Sequence, residues 1–184
     1  ALRGTQFIRD RNDVKMVGAA GESWEYFVKL CVNYSLAGVE CLSGIPGLVG
    51  ATPIQNVGAY GQEVAETIVD VKAIERATLK EIHFSNNDCR FKYRRSRFNA
   101  DDCDKFIITE VTFRLRLDGE PQIRYPELKK FVDAHVDLQT LASSSKRLEA
   151  VRSSVISLRK KKSMVIDDAD PNTRSVGSFF KNPL

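Results

Sequence analysis

The chain has 184 residues, of which 42% are hydrophobic and 28% charged, with ten Phe and one Trp; that is enough apolar surface for one ordinary domain, or a domain with part of a second, and it excludes a disordered chain. A net charge of +4 and a pI near 8.9 are mild, compatible with a phosphorylated small molecule or with nucleic acid, and no apolar run approaches the roughly 18–20 residues that span a bilayer. Four cysteines without Cys-x-x-Cys spacing and two distant histidines, His83 and His135, argue against a zinc site and a disulfide framework, and the thiols read as small buried hydrophobes.

Ala1 to Thr5 lacks the apolar stretch of a secretory signal, so a cytoplasmic location is expected; the start at Ala1 rather than Met places the natural N-terminus upstream in this reading. Val14 to Ala19 reads as a short strand. A helix is expected from Trp24 to about Leu36, with Ser23 as N-cap, Gly38 as C-terminal stop, and Trp24, Phe27, Val28 and Cys31 on one core-facing stripe. Ile68–Glu75 and Glu81–Phe84 read as strands joined across Arg76–Leu79. Ile107–Leu117 is the clearest strand, with Ile107, Thr109, Val111, Phe113, Leu115 and Leu117 on one face. Asp118-Gly119-Glu120-Pro121 breaks the chain. Helices then follow at Pro126–Ala134 and Lys146–Lys162, the second with Leu148, Val151, Val155 and Leu158 inward, and Asp167–Asn172 reads as a turn. No repeat or low-complexity segment is present. The class is α+β, a mixed sheet with peripheral helices.

Five of the eleven glycines lie between Gly44 and Gly61. Glycine lets a ligand approach backbone N–H groups, and successive amides in such turns form anion-binding concavities. Ile45, Leu48, Val49 and Ile54 offer faces for a flat ring, and Gln55 and Asn56 offer directional hydrogen bonds. The string is neither Gly-x-Gly-x-x-Gly nor a phosphate loop ending in Gly-Lys-Ser/Thr. On composition it reads equally as an irregular buried loop or a cofactor cradle. Downstream, Cys89-Arg-Phe-Lys-Tyr-Arg-Arg-Ser-Arg-Phe98 interleaves five basic residues with aromatics, a pattern that suits single-stranded nucleic acid or a solvated edge strand. Near the C-terminus, Arg174-Ser-Val-Gly-Ser-Phe-Phe-Lys-Asn-Pro183 is not a hydrolase nucleophile elbow, and no His lies nearby.

Gly-Ile-Pro-Gly-x-Val-Gly-x-x-Pro-Ile-Gln-Asn-x-Gly-Ala-Tyr-Gly closely resembles the flavin-binding segment of the UDP-N-acetylenolpyruvoylglucosamine reductases (MurB). Cys-x-Phe-x-Tyr-Arg-x-Ser-x-Phe and the Gly-Ser-Phe-Phe-x-Asn-Pro string resemble that family's second and third signatures, in the same order. The resemblance runs from about Gly18 to Leu184. It implies a p-cresol methylhydroxylase-type FAD-binding domain over residues 1–118, a helical connection over 119–165, and the start of a substrate-binding domain over 166–184. It places the flavin against Gly44, Ile45, Gly47, Val49, Gly50, Ala51, Gln55, Asn56, Gly58, Ala59 and Gly61, with Arg159 nearby. Arg94 falls on the catalytic arginine and Ser178 on the proton-donating serine. Tyr125, Lys162 and Asn182 fall on substrate-contacting positions.

The implied reaction passes a hydride from NADPH to FAD, then to C3 of the enolpyruvyl group of UDP-N-acetylglucosamine-enolpyruvate. Arg94 would stabilise charge gathered on the carboxylate, and Ser178 would protonate C2, giving UDP-N-acetylmuramate for peptidoglycan synthesis. The expected protein is a bacterial cytoplasmic monomer with no metal, no membrane and no nucleic-acid partner. Two family features have no counterpart, an upstream Gly-Ser-Asn phosphate loop and a downstream catalytic glutamate, so the chain reads as a partial enzyme, catalytically poor alone. Two other readings stand beside this one. One is a different oxidoreductase on a related FAD domain. The other is a nonenzymatic module that binds RNA or a partner through Arg90–Arg97 and Lys160–Lys162.

Overall fold

The computed structural model describes residues 2–10 and 13–174. Strand β1 (Thr5–Asp10), which the hydropathy pattern does not announce, pairs antiparallel with β2 (Asp13–Ala19), and Phe7 and Ile8 remain part-exposed on this sheet edge.

Helix α1 (Trp24–Asn33) begins where the sequence places it: the Ser23 hydroxyl accepts the Tyr26 N–H at 3.4 Å, and Trp24, Phe27, Val28 and Cys31 are buried. It ends earlier than Leu36. Ser35 turns left-handed at φ 59°, and Leu36–Ala37 form β3, paired with Leu117 and Arg116. Pairing on the sheet edge buries Leu36 completely and overrides the local helical periodicity, so Gly38 is not the helix stop.

A 3-10 turn at Glu40–Leu42 leads into the glycine-rich stretch and a two-stranded hairpin, β4 (Gly58–Ala59) and β5 (Gln62–Glu63). Then come β6 (Ile68–Glu75), β7 (Glu81–Ser85), a one-turn helix α2 (Asn86–Cys89) and the long β8 (Phe106–Leu117). The main sheet runs β1-β2-β8-β6-β7, with β3 also paired to β8. Every pairing among the described residues is antiparallel, which corrects the expected mixed sheet: hairpins and the central β8 build it, with no crossover between parallel neighbours.

The alternation along β8 holds at Val111, Phe113 and Leu115, all buried, but not below them. Lys72 pairs with Glu110 and Ala73 with Ile108, leaving Thr109 as a one-residue bulge. The bulge exchanges the faces: Phe106 and Ile108 pack on the core, whereas Ile107 is 46% exposed.

The α1 stripe meets the sheet through rings, with Trp24 and Phe27 centroids 5.6 Å apart and Phe27 and Phe113 4.9 Å apart. A second apolar cluster joins α3 (Pro126–His135) and α4 (Ser144–Lys160) through Leu128, Val132, Val151, Val155 and Leu158, and includes Cys41. Between the clusters lies the fully buried Glu40. Its carboxylate accepts from the Gly38 N–H (2.7 Å), the Gln62 Nε2 (3.3 Å) and the Gln122 N–H (3.2 Å), while Gln62 Oε1 accepts from the Cys41 N–H at 2.9 Å. Cys31, Cys41 and Cys89 are buried as expected; Cys103 is exposed, which corrects its assignment to the core, because it sits in the polar Asp101–Lys105 turn.

Candidate functional site

The glycine-rich stretch is stitched onto the end of β2 and the start of α1. The Val49 N–H donates to Glu22 O (2.9 Å), the Gly50 N–H to Ala20 O (2.9 Å), and the Trp24 N–H to Gly47 O (3.0 Å). A Cβ on Gly50 would lie 2.5 Å from Ala20 Cβ, so this glycine serves close approach of two backbone segments. Val49, whose side chain is expected against the flavin, is fully buried and packs in the core. The outward surface consists instead of Pro46, Gly47, Leu48, Ala51, Ile54 and Gln55, all exposed. At Gly47, φ is +128° and no atom lies within 4 Å of where a Cβ would stand, so open backbone is presented there.

Asn56, 1% exposed and left-handed at φ 48°, spends its side chain inside the protein. Nδ2 donates to Glu63 Oε2 (2.7 Å) and Lys92 O (3.1 Å), and Oδ1 accepts the Ala65 N–H (3.0 Å). Its backbone carbonyl accepts from Arg94 Nη1 at 3.4 Å, and Gly58 O accepts from Arg94 Nη2 at 2.6 Å. The basic segment does not form the extended strand that alternating faces would require. Lys92 and Arg95 exchange N–H···O bonds of 2.9 and 3.1 Å, closing a tight turn that holds Arg94 at φ 51°. Arg94 thus stands half-buried against the β4–β5 hairpin, its guanidinium held by two carbonyls and keeping further donors for a ligand carboxylate. The surrounding basic residues are partly neutralised: Arg90 and Arg95 reach Asp101, and Arg97 pairs with Asp102 at 2.6 Å.

At the turn of the same hairpin, Tyr60 meets Tyr125 edge-on, centroids 5.6 Å apart, and Gly61 abuts Arg124 and Tyr125. Burial pushes the Tyr60 phenol above its ordinary pKa, opposed by the nearby charges of Lys162 and Arg159. Lys162 sits 2.8 Å from Glu127, whose hydrogen bond raises the lysine pKa. Arg159 comes from the last turn of α4 and donates through Nη2 to Met164 O (3.1 Å). Its Nε is buried with no partner among the described residues, 3.3 Å from where a Gly44 Cβ would lie, and burial draws its pKa down. Behind it, the Gly44 N–H donates to Glu25 Oε2 at 2.5 Å, and Glu25 pairs with Arg152. Beside Pro46, a cavity of about 510 Å³ is walled by Met164, Ile166, Asp167 and Asp170.

The structure therefore brings Gly44, Gly58, Ala59, Gly61, Arg94, Tyr125, Arg159 and Lys162 around one hairpin, and leaves Ile45 half-buried and Gln55 exposed alongside. Ser178 and Asn182 lie outside the described residues. Glu25, Glu63 and Arg152 escape sequence reading because solitary charges on α1, β5 and α4 carry the same signature as solvated surface, and Glu25 and Arg152 are 127 residues apart. Tyr60 is visible in the sequence only as a motif letter. An unpartnered buried guanidinium Nε, open backbone at Gly47, and exposed Leu48 and Ile54 fit a large flat ligand carrying acceptor groups. Among the described residues, no cluster of three or more His, Cys, Asp or Glu side chains is arranged to hold a metal ion, and no helix is long and apolar enough to cross a membrane.

No protein-family model matches the chain. It is 46% identical over 166 residues to the UDP-N-acetylenolpyruvoylglucosamine reductase of Thermobifida fusca, covering 90% of this chain and 44% of that protein. It is 40% identical over 188 residues to that of Paraburkholderia phytofirmans, covering 100% and 51%. The crystal structure of the reductase (MurB) from Thermus caldophilus matches with a TM-score of 0.62 at 21% identity, over all of this chain and 50% of that one, and so shares its fold. The chain spans about half the length of the curated relatives it matches.

Proposed function

We propose that this chain, which belongs to the UDP-N-acetylenolpyruvoylglucosamine reductase family, forms the flavin-side half of an enzyme that reduces UDP-N-acetylglucosamine-enolpyruvate to UDP-N-acetylmuramate with NADPH. One observation carries the reading: the Arg94 guanidinium is docked on the carbonyls of Asn56 and Gly58, so the glycine-rich segment and the basic turn, separate in sequence, form one site.

In this reading residues 1–118 form a p-cresol methylhydroxylase-type FAD domain, 119–165 the helical connection and 166–184 the start of the substrate domain. Gly44, Gly47, Leu48 and Ile54 would line the flavin, with Arg159 near it. FAD, when bound, supplies the hydride carrier between NADPH and C3 of the enolpyruvyl group. The protein's part is orientation and charge. Lys162 and Tyr125 hold the UDP-sugar, and Asn182 assists. Arg94 takes the substrate carboxylate through the donors its carbonyl contacts leave over, and stabilises the charge that gathers there as hydride arrives. Ser178 delivers a proton to C2. Substrates of this kind place the enzyme in the bacterial cytoplasm.

The test uses the intact reductase that contains this chain and follows each half-reaction separately. Ser178→Ala is expected to leave flavin reduction by NADPH nearly intact while slowing reoxidation by the enolpyruvyl substrate. An equal fall in both half-reactions would overturn the proton-donor role. Reoxidation that is indifferent to the UDP-sugar would point instead to a different flavin oxidoreductase.

A further inference from the structure

Arg94 occupies a conformation it would not choose alone. It is the third residue of the Lys92–Arg95 turn and sits at φ 51°, a place glycine or asparagine fills with less strain. A residue kept there must be held by its surroundings, and the holding is traceable. Asn56 grips the turn from two sides: its Nδ2 donates to Lys92 O at 3.1 Å, and its own backbone carbonyl accepts from Arg94 Nη1 at 3.4 Å. The orientation of that amide is set by Glu63, whose Oε2 accepts the Asn56 Nδ2 at 2.7 Å, and by the Ala65 N–H, which donates to Oδ1 at 3.0 Å. Glu63 reaches Asn56 by crossing over Gly58, its ladder partner in the β4–β5 hairpin. A Cβ on Gly58 would lie 2.8 Å from Glu63 Cγ. Gly58 in turn provides the second carbonyl, at 2.6 Å from Arg94 Nη2.

We propose that Asn56 and Glu63 are positioning residues for Arg94, and that the Glu63–Asn56–Lys92 hydrogen-bond chain aims the guanidinium at the substrate carboxylate. The assignment rests on the function proposed above. It moves Asn56 from the cofactor's surroundings to the machinery of the second half-reaction, because all of its side-chain hydrogen bonding is turned toward the protein. Glu63 acts as a hydrogen-bond acceptor rather than as a charge.

The experiment measures both half-reactions by stopped-flow absorbance in the intact reductase carrying Arg94→Ala, Asn56→Ala, Glu63→Ala or Glu63→Gln. Misplacing a reacting group by about 1 Å can cost on the order of 100-fold. Asn56→Ala and Glu63→Ala are therefore expected to slow reoxidation by the enolpyruvyl substrate by about 10- to 100-fold, while flavin content and the rate of reduction by NADPH stay near those of the parent. Glu63→Gln, which keeps an acceptor oxygen, restores most of the reoxidation rate. If Arg94→Ala slows reoxidation but Asn56→Ala and Glu63→Ala do not, the positioning role is wrong and the proposed function survives. If Arg94→Ala itself leaves reoxidation untouched, the proposed function fails and the positioning role with it. Loss of flavin or of both half-reactions in Glu63→Ala, unrelieved by Glu63→Gln, would assign the chain of bonds to folding alone and overturn the proposal.

Discussion

Gly50 offers a direct test of how the glycine-rich segment is held. Replacing it with alanine introduces a Cβ 2.5 Å from Ala20 Cβ, 3.0 Å from Ala20 Cα and 3.1 Å from Ala20 O, where ordinary contact begins near 3.4 Å. Two of those three atoms are backbone, so a rotamer change cannot relieve the clash; the segments must part by roughly 1 Å. That movement works against the Val49 N–H···O Glu22 and Gly50 N–H···O Ala20 bonds, each 2.9 Å, and the Trp24 N–H···O Gly47 bond at 3.0 Å. Overpacking costs about 1–3 kcal/mol, and losing a buried hydrogen bond adds about 1 kcal/mol. The expected destabilisation of Gly50→Ala is therefore about 2–4 kcal/mol, a Tm drop of about 5–15 °C for a chain of this size. Thermal and urea unfolding followed by circular dichroism measure it. Ala20→Gly, which removes the nearest atom, should return about 1 kcal/mol in the double variant, as coupled neighbours do. A Gly50→Ala chain with unchanged Tm, or a double variant that is simply additive, would refute the close-approach argument.

Three further outcomes follow from the same structure. Glu40→Ala leaves the donors of Gly38, Gln62 and Gln122 without their acceptor and should destabilise the chain by about 3 kcal/mol or more, read by urea unfolding. The His83 Nδ1 lies 2.9 Å from Asp70, which raises the imidazole pKa above its ordinary 6.5. Its stabilising contribution should thus be complete below pH 6.5 and disappear as pH rises through the raised folded value; an NMR titration of His83 checks the midpoint, which Asp70→Asn should lower. Of the four thiols, only Cys103 should react with a maleimide under native conditions, since Cys31, Cys41 and Cys89 are buried and burial pushes the Cys89 pKa to about 12. Mass spectrometry of the labelled chain reads the count.

Local patterns in the chain were enough to place several elements. The Ser23 cap, the Trp24–Cys31 stripe, the β6 and β7 strands, the Pro126 start of α3 and the inward face of α4 each depend on neighbours within a turn or a strand. The glycine spacing and the Arg94 motif also pointed, as strings that resemble a family, to two segments that the fold brings into contact through Arg94 and the Asn56 and Gly58 carbonyls. Tertiary contact decided the rest. Leu36 left its helical period for the sheet because β8 offered it a partner, and Thr109 bulged out of β8, turning Ile107 to solvent. Val49 went to the core, and the basic segment closed into a turn rather than a strand, since Asn56 and Gly58 offered Arg94 two carbonyls. Periodicity reports which side of an element is apolar. Which distant backbone group meets a given side chain depends on the packed fold, and both Glu40 and the Glu63–Asn56–Lys92 chain are of that second kind.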